Sequence, residues 1–168
     1  FANRLGNERY QRLVLSLDGC AAEGATNRLL RGSEFFRTLA ERQIDWLEHE
    51  ADFSQPPIDT LLAATLADNL NSQDEASVIK ALRVLRQRAM LHTVWRSFTS
   101  PNGLDETLDS MTKLADFVIR CAVDYAEHTV SKRYGHAVGD DTGALQKLIV
   151  VGMGKLGGRE LNLSSDID

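Results

Sequence analysis

Hydrophobic positions recur at helical spacing through most of the chain. Between Ser33 and Glu48, Phe35, Phe36, Leu39, Ile44 and Leu47 form one stripe. Ser33 is placed to cap that helix, with Glu34 in its first turn. Ser54-Gln55-Pro56-Pro57 breaks the pattern, and Pro57 suits the first turn of a helix carrying Ile58, Leu61, Leu62, Leu66 and Leu70. Asn71-Ser72-Gln73-Asp74 is the next boundary. From Glu75 to about Phe98, Val78, Leu82, Leu85 and Ala89 keep helical register. A further helix is expected over Leu5 to Leu17.

Ser100-Pro101-Asn102-Gly103 has turn composition. After it Leu104, Leu108, Met111, Ala115, Val118, Ala122, Tyr125 and Thr129 recur at alternating spacings of four and three, and neither Pro nor Gly intervenes before Gly135. Such a run is a single helix of about 30 residues, roughly 45 Å long, whose stripe requires neighbouring helices. The pattern then changes. Gly135 to Ala144 holds three glycines and two aspartates and is expected to be a loop, with Asp140 and Asp141 in a solvated turn. Leu145 to Met153 is short, apolar and β-branched, and is expected to be a buried strand. The expected layout is mainly α. A bundle-like helical domain (1–134) and a connector (135–144) lead into the start of an α+β domain (145–168) that the chain does not complete.

Composition narrows the function classes. The 168 residues carry a formal net charge of −5, which argues against general binding to nucleic acid or an anionic membrane. No stretch is long and apolar enough for a signal or membrane span, so a cytoplasmic protein is expected. Cys20 and Cys121 lack any paired context and are expected to be reduced, buried thiols. The chain opens on Phe1 rather than Met and stops inside a motif, so it is expected to be a piece of a longer protein.

That motif is GMGKLGGRELNLSSDID, Gly152 to Asp168. Glycines after a strand let backbone N–H groups approach phosphate oxygens, and Lys155 adds a charge for the same oxygens. Residues i and i+2 of an extended chain face one side, so Asp166 and Asp168 would point together. Carboxylates about 6 Å apart repel by roughly 3 kcal/mol at an effective dielectric near 20. A divalent cation between them removes that cost, and oxygen-only ligands suit Mg²⁺ or Mn²⁺. Glycine loop and paired carboxylates together are the equipment of phosphoryl or nucleotidyl transfer.

Other readings compete. Gly152-x-Gly154-x-x-Gly157 matches the dinucleotide fingerprint, but the following Gly158 and LNLSSD make a poor helix, and the acid expected about 20 positions on would lie past the last residue. The Walker pattern fails, because Gly158 stands where it needs Lys. In the blandest case the glycines make a tight turn and the aspartates are solvated.

The stretch resembles the signature of the bacterial glutamine synthetase adenylyltransferase/adenylyl-removing enzymes, nucleotidyltransferases of the polymerase-β type. The family form G-x-G-K-L-G-G-x-E-L-x-x-x-S-D-x-D is met at Gly152, Gly154, Lys155, Leu156, Gly157, Gly158, Glu160, Leu161, Ser165, Asp166 and Asp168. The GMG and ELN variants look more like the amino-terminal half of that two-headed enzyme. LRVLRQRAMLHTVWRSF, Leu82 to Phe98, is similar to its arginine-rich helix ahead of the catalytic domain. The resemblance implies removal of AMP from a tyrosine of glutamine synthetase by phosphorolysis, releasing ADP, with the other half adding AMP from ATP. It implies glutamine synthetase and a PII-type signalling protein as partners, and glutamine as effector. Asp166 and Asp168 would be the catalytic Mg²⁺ ligands. Gly152, Gly154, Lys155, Gly157 and Gly158 would hold the nucleotide phosphates, and Ser165 would orient an aspartate or a phosphate. Glu160 would be an acid behind them or a partner in an ordinary salt bridge. The superfamily uses a third carboxylate on a later strand that this chain does not supply, so the isolated chain is expected to bind metal weakly and not to turn over. In this form it could act instead as a helical interaction module.

Between Glu75 and Asp105 there is no acid, while Lys80, Arg83, Arg86, Arg88, His92 and Arg96 spread over a broad helical face. That face is either solvated and paired with acids of neighbouring helices, or a docking surface for an acidic partner. The four histidines lack zinc-ligand spacing. Trp46 and Trp95 are expected to pack in the helical core.

Overall fold

The computed structural model describes residues 6–18, 24–53 and 74–165. The architecture is mainly α, and the described residues contain no sheet. Helix α1 spans Asn7–Asp18, α2 Ala25–Gly32, α3 Glu34–Arg42 and α4 Ile44–His49. Two long helices follow, α5 (Glu75–Thr99) and α6 (Gly103–Tyr134), and then a single turn, α7 (Gly154–Gly157). The helix expected over Ile58 to Leu70 lies outside the described residues, as does Cys20.

Local chemistry sets the helix ends. Ser33 Oγ accepts from the Phe36 amide at 3.1 Å, the expected cap of α3. The stripe from Ser33 to Glu48 is nevertheless two helices, because Gln43 leaves helical geometry (φ −116°, ψ 24°) between them. Phe36 is buried, whereas Phe35, one position away on the helix, is 47% exposed and is not a core residue. Asp74 caps α5 through the amides of Ala76 and Ser77. The stretch before Ser33 carries an unexpected helix, α2, whose buried set Ala25, Thr26, Leu29 and Leu30 is too short to declare a period.

Helix α5 is the centre of the bundle. It packs most extensively on α6 and also meets α2 and α3. Seven consecutive residues, Ala89 to Trp95, are buried, so this half is enclosed on all sides. An aromatic cluster fills the space beside it. Phe53 stacks on His92 (centroids 4.5 Å, planes 3° apart), meets Trp95 edge-on at 5.1 Å and lies 6.2 Å from Trp46. Both tryptophans are core residues, as expected from sequence.

Neighbours also sort the basic interval. Arg96 makes a bidentate pair with Glu106 at 2.8 and 2.9 Å. Arg88 lies over the Trp46 ring and donates to Gln43. His92 is 1% exposed and belongs to the core, not to a basic surface. Lys80, Arg83 and Arg86 stay exposed, at i, i+3 and i+6, so these three share one stripe of α5. The broad face read from sequence is thereby reduced to its first half.

Helix α6 has 32 residues, about 48 Å, and ends at Gly135, whose φ is +82°. Its inward face is displaced by one position from the expected stripe. Thr107, Ser110, Leu114, Phe117 and Cys121 face the core with Met111 and Ala115, while Leu104 is 72% exposed and Ala122 and Thr129 face outward. Counting apolar residues alone misses this. The Thr107 and Thr112 hydroxyls are satisfied by the carbonyls of Gly103 (2.6 Å) and Leu108 (2.8 Å), so both residues bury without an unpaired polar group. Burial pushes the Cys121 thiol above its ordinary range.

The α5–α6 turn requires glycine. A Cβ on Gly103 would stand 2.4 Å from the Ser97 carbonyl oxygen, a backbone atom that cannot rotate away. Gly103→Ala is expected to lower stability by about 1–3 kcal/mol through overpacking, despite better helix propensity, seen as a lower urea midpoint with unchanged slope.

The expected buried strand over Leu145 to Met153 is corrected. The segment forms no strand: its one bridge among the described residues is the antiparallel pair Val138 and Leu145, and Ile149 is 83% exposed. A strand is made by a ladder, and among the described residues the pairing stops at the single bridge to Val138. The Leu148 amide ties the segment to α6, donating to Glu127 Oε1 at 2.7 Å. The connector before it is a tight reversal, with Gly139 N donating to Ala144 O and Gln146 N to Ala137 O. Asp140 and Asp141 sit exposed in its turn, as expected.

Candidate functional site

The site is built on the backbone of one glycine loop. The chain arrives extended at Met153 (φ −118°, ψ 170°), turns at Gly154 (φ +54°) and makes the single turn α7. Gly157 N donates to Met153 O at 3.2 Å and Gly158 N to Gly154 O at 2.9 Å. The turn folds back on the incoming strand-like segment. A Cβ on Gly157 would lie 2.5 Å from Gly152 O, so only glycine allows that approach.

The turn ends in a Schellman motif. Arg159 N donates to Leu156 O at 3.1 Å and Glu160 N to Lys155 O at 2.7 Å, with Arg159 in the left-handed region at φ 58°. Leu161 then dives into the helical core at 3% exposure, with Leu156 packed against the same cluster. The loop therefore rides on the helices rather than on a sheet of its own. Arg159 Nη2 reaches Asp109 of α6 at 3.1 Å, and its Nη1 lies 4.0 Å from Asp116.

A second turn follows. Asn162 Oδ1 accepts from the Ser164 amide (3.0 Å), the Ser164 hydroxyl (3.0 Å) and the Ser165 hydroxyl (3.1 Å). The Asn162 amide donates back to Ser165 Oγ at 3.2 Å. Asn162 thus shapes the approach to Asp166. The Asn-x-Ser-Ser run is a recognisable Asx-turn signal in the sequence.

The structure therefore gathers Gly152, Gly154, Lys155, Gly157 and Gly158 into one exposed loop. Lys155 makes no ion pair among the described residues. Ser165 is half-buried, and its hydroxyl is engaged with Asn162. Glu160 contributes its backbone to the Schellman turn and forms no salt bridge among the described residues. Asp166 and Asp168 lie outside the described residues, so the expected metal ligands have no geometry here. Among the described residues no cluster of three His, Cys, Asp or Glu could hold a metal ion. An open groove of about 290 Å³ runs beneath the loop, between Asp116, Arg120, Asp124 and Glu127 of α6 and Lys147 and Leu156 opposite. The roles of Asn162 and Arg159 were missed from sequence, and for Arg159 the sequence carries no signal.

The length of α7 bears on the dinucleotide reading. That fold continues from its glycines into a long helix, whereas here the helix stops at Gly157 after one turn.

The glutamate-ammonia ligase adenylyltransferase family matches residues 24–168. The chain belongs to that family. Among curated members, the bifunctional glutamine synthetase adenylyltransferase/adenylyl-removing enzyme of Xanthomonas campestris pv. campestris (strain ATCC 33913) is 36% identical over 160 residues, 94% of this chain and 16% of the relative. The protein of the same name from Pseudomonas aeruginosa is 34% identical over 161 residues, 96% of this chain and 15% of the relative. The one from Thioalkalivibrio sulfidiphilus is 47% identical over 97 residues, 58% of this chain and 10% of the relative. The chain thus spans about a sixth or less of the length of these adenylyltransferase relatives. No solved structure matches the chain. No helix of the described residues is long and apolar enough to cross a membrane.

Proposed function

We propose that this chain carries the phosphate-binding loop and the first two acidic residues of a nucleotidyltransferase centre. In the whole protein that centre would remove AMP from a tyrosine of glutamine synthetase by phosphorolysis, while a second half adds AMP from ATP. The observation that carries this reading is the exposed glycine loop, anchored by Leu161, that leads through the Asn162 turn directly to Asp166. The names of the relatives support glutamine synthetase as the target.

The roles divide by chemistry. The amides of Gly154 to Gly158 and the Lys155 ammonium would bind phosphate oxygens and hold the nucleotide in line with the phosphate that attacks. Asp166 and Asp168 would hold Mg²⁺, whose bound charge neutralises the phosphates as negative charge shifts between them. Ser165 would hold the Asp166 backbone in place through its bonds to Asn162. A PII-type protein is the proposed signalling partner, and the cytoplasm the proposed compartment.

Metal removal tests the reading. In the full-length protein, chelation is expected to abolish ADP formation from adenylylated glutamine synthetase and phosphate, and added Mg²⁺ to restore it. ADP formation undiminished by chelation would sink the proposal.

A further inference from the structure

Arg159 is the one non-glycine residue with positive φ among the described residues. It fills the position of a Schellman turn where glycine is the usual choice, because a side chain there costs roughly 1 kcal/mol. For the turn alone, glycine would serve better. The reason for arginine must therefore lie in what its side chain does.

That side chain crosses to α6. It meets Asp109 at 3.1 Å and approaches Asp116 at 4.0 Å. The two aspartates stand seven residues apart, two turns along one face of α6. Lys113, between them, also pairs with Asp109 at 3.0 Å. Partial burial raises the Asp109 carboxyl, but its bonds and attraction to Lys113 and Arg159 outweigh that and hold it below the ordinary carboxylate range. Two residues further on, Leu161 is locked in the core. The loop is thus fixed from one side by an apolar plug and from the other by a charged strap.

The strap is exposed at both ends (58% and 49%), and surface pairs of this kind contribute little to global stability. Its consequence is geometric. We propose that Arg159 is a positioning residue, which straps the Gly152–Gly158 loop to α6 and so sets where the loop stands against the nucleotide. The inference rests on the nucleotidyltransferase reading above. Active groups displaced by about 1 Å can lose two orders of magnitude in rate, so a weak strap can matter to turnover without mattering to folding.

The full-length enzyme provides the test. Arg159→Gly removes the strap but keeps, and even favours, the left-handed turn, so the protein should fold with an unchanged unfolding midpoint. Amide exchange across residues 154–165 should quicken, and kcat/KM for AMP removal should fall about tenfold, well short of losing a metal ligand. Arg159→Lys, which keeps a cation facing Asp109, should recover most of the loss. Asp109→Asn with Asp116→Asn should reproduce it, and adding Arg159→Gly to that pair should cost nothing more. Unchanged kcat/KM or unchanged exchange in Arg159→Gly overturns the proposal, as do losses that simply add. Asp166→Asn separates the two ideas. If it is inactive while Arg159→Gly is normal, only the strap fails. If it is fully active, the nucleotidyltransferase reading fails first.

Discussion

Replacing Asp166 by Asn in the full-length protein is expected to slow AMP removal about a thousandfold, equivalent to about 4 kcal/mol of barrier. The substitution keeps shape and one oxygen but removes the charge. If Asp166 and Asp168 share a cation, the pair changes from two formal charges to one. The cation then loses both its affinity and its place against the phosphates. Asp168→Asn should behave alike, and the double variant should be little worse than either single one, because the two act as a unit. Raising Mg²⁺ should recover only part of the rate, since occupancy returns before geometry does. The measurement is ADP released from adenylylated glutamine synthetase at saturating phosphate, with the unfolding midpoint as the control for folding. A rate within a few-fold of wild type would remove these carboxylates from the chemistry.

The second large effect is on stability. His92 is buried at 1% exposure against Phe53, its Nε2 bonded to the Asp52 carbonyl at 3.0 Å and its Nδ1 without a partner among the described residues. Burial drives its pKa down to about 4; the Asp52 carbonyl opposes this, and the nearby Arg96 charge adds to it. The unfolded chain takes up the proton as pH falls through about 6.5, whereas the native state refuses it until about pH 4. The unfolded state therefore binds more protons in that window, and stability falls as pH is lowered. From above pH 6.5 down to pH 4 the loss should approach about 3 kcal/mol, then level off for this group. Carboxylates paired with cations, Glu48 with Arg9 and Glu106 with Arg96, begin to lose their contribution only as pH falls through about 4.5, where the unfolded carboxyl takes up its proton, and go on losing it below, because their native pKa values are depressed. His92→Phe keeps the ring stack and removes the titrating group together with its bond to the Asp52 carbonyl. It should flatten the dependence of the urea midpoint between pH 4 and 6.5. A slope unchanged in that variant would assign the effect elsewhere.

Much of the helical layout was legible from local pattern. The Ser33 cap, the start of α5 at Glu75 after Asp74 and the run of α6 up to Gly135 follow from residues within a turn of each boundary. These features depend on capping, φ preference and spacing, all carried by neighbours in sequence. The glycine loop was legible for the same reason, since its glycines answer to contacts within six residues, such as Gly157 against Gly152 O.

The strand at Leu145 to Met153 was not decidable in this way. β-branched composition marks a segment able to pair, but a ladder needs a second segment along its length, and among the described residues only Val138 bridges to it, at Leu145. The face of α6 was misplaced because Thr and Ser were counted as outward, when their hydroxyls could turn back to the helix.

From its sequence alone this protein disclosed helix limits, the loop's need for glycine, and the family motif that joins the loop to Asp166 and Asp168. Only tertiary structure decided that His92 is a neutral core ring, that Arg88 and Arg96 are already engaged, and that Arg159 straps the loop to α6. The division has one physical cause. Capping and backbone conformation are settled by atoms a few bonds away, while burial, charge pairing and pKa depend on groups brought together from 10 to 50 positions apart, as Arg96 with Glu106 and Arg159 with Asp109.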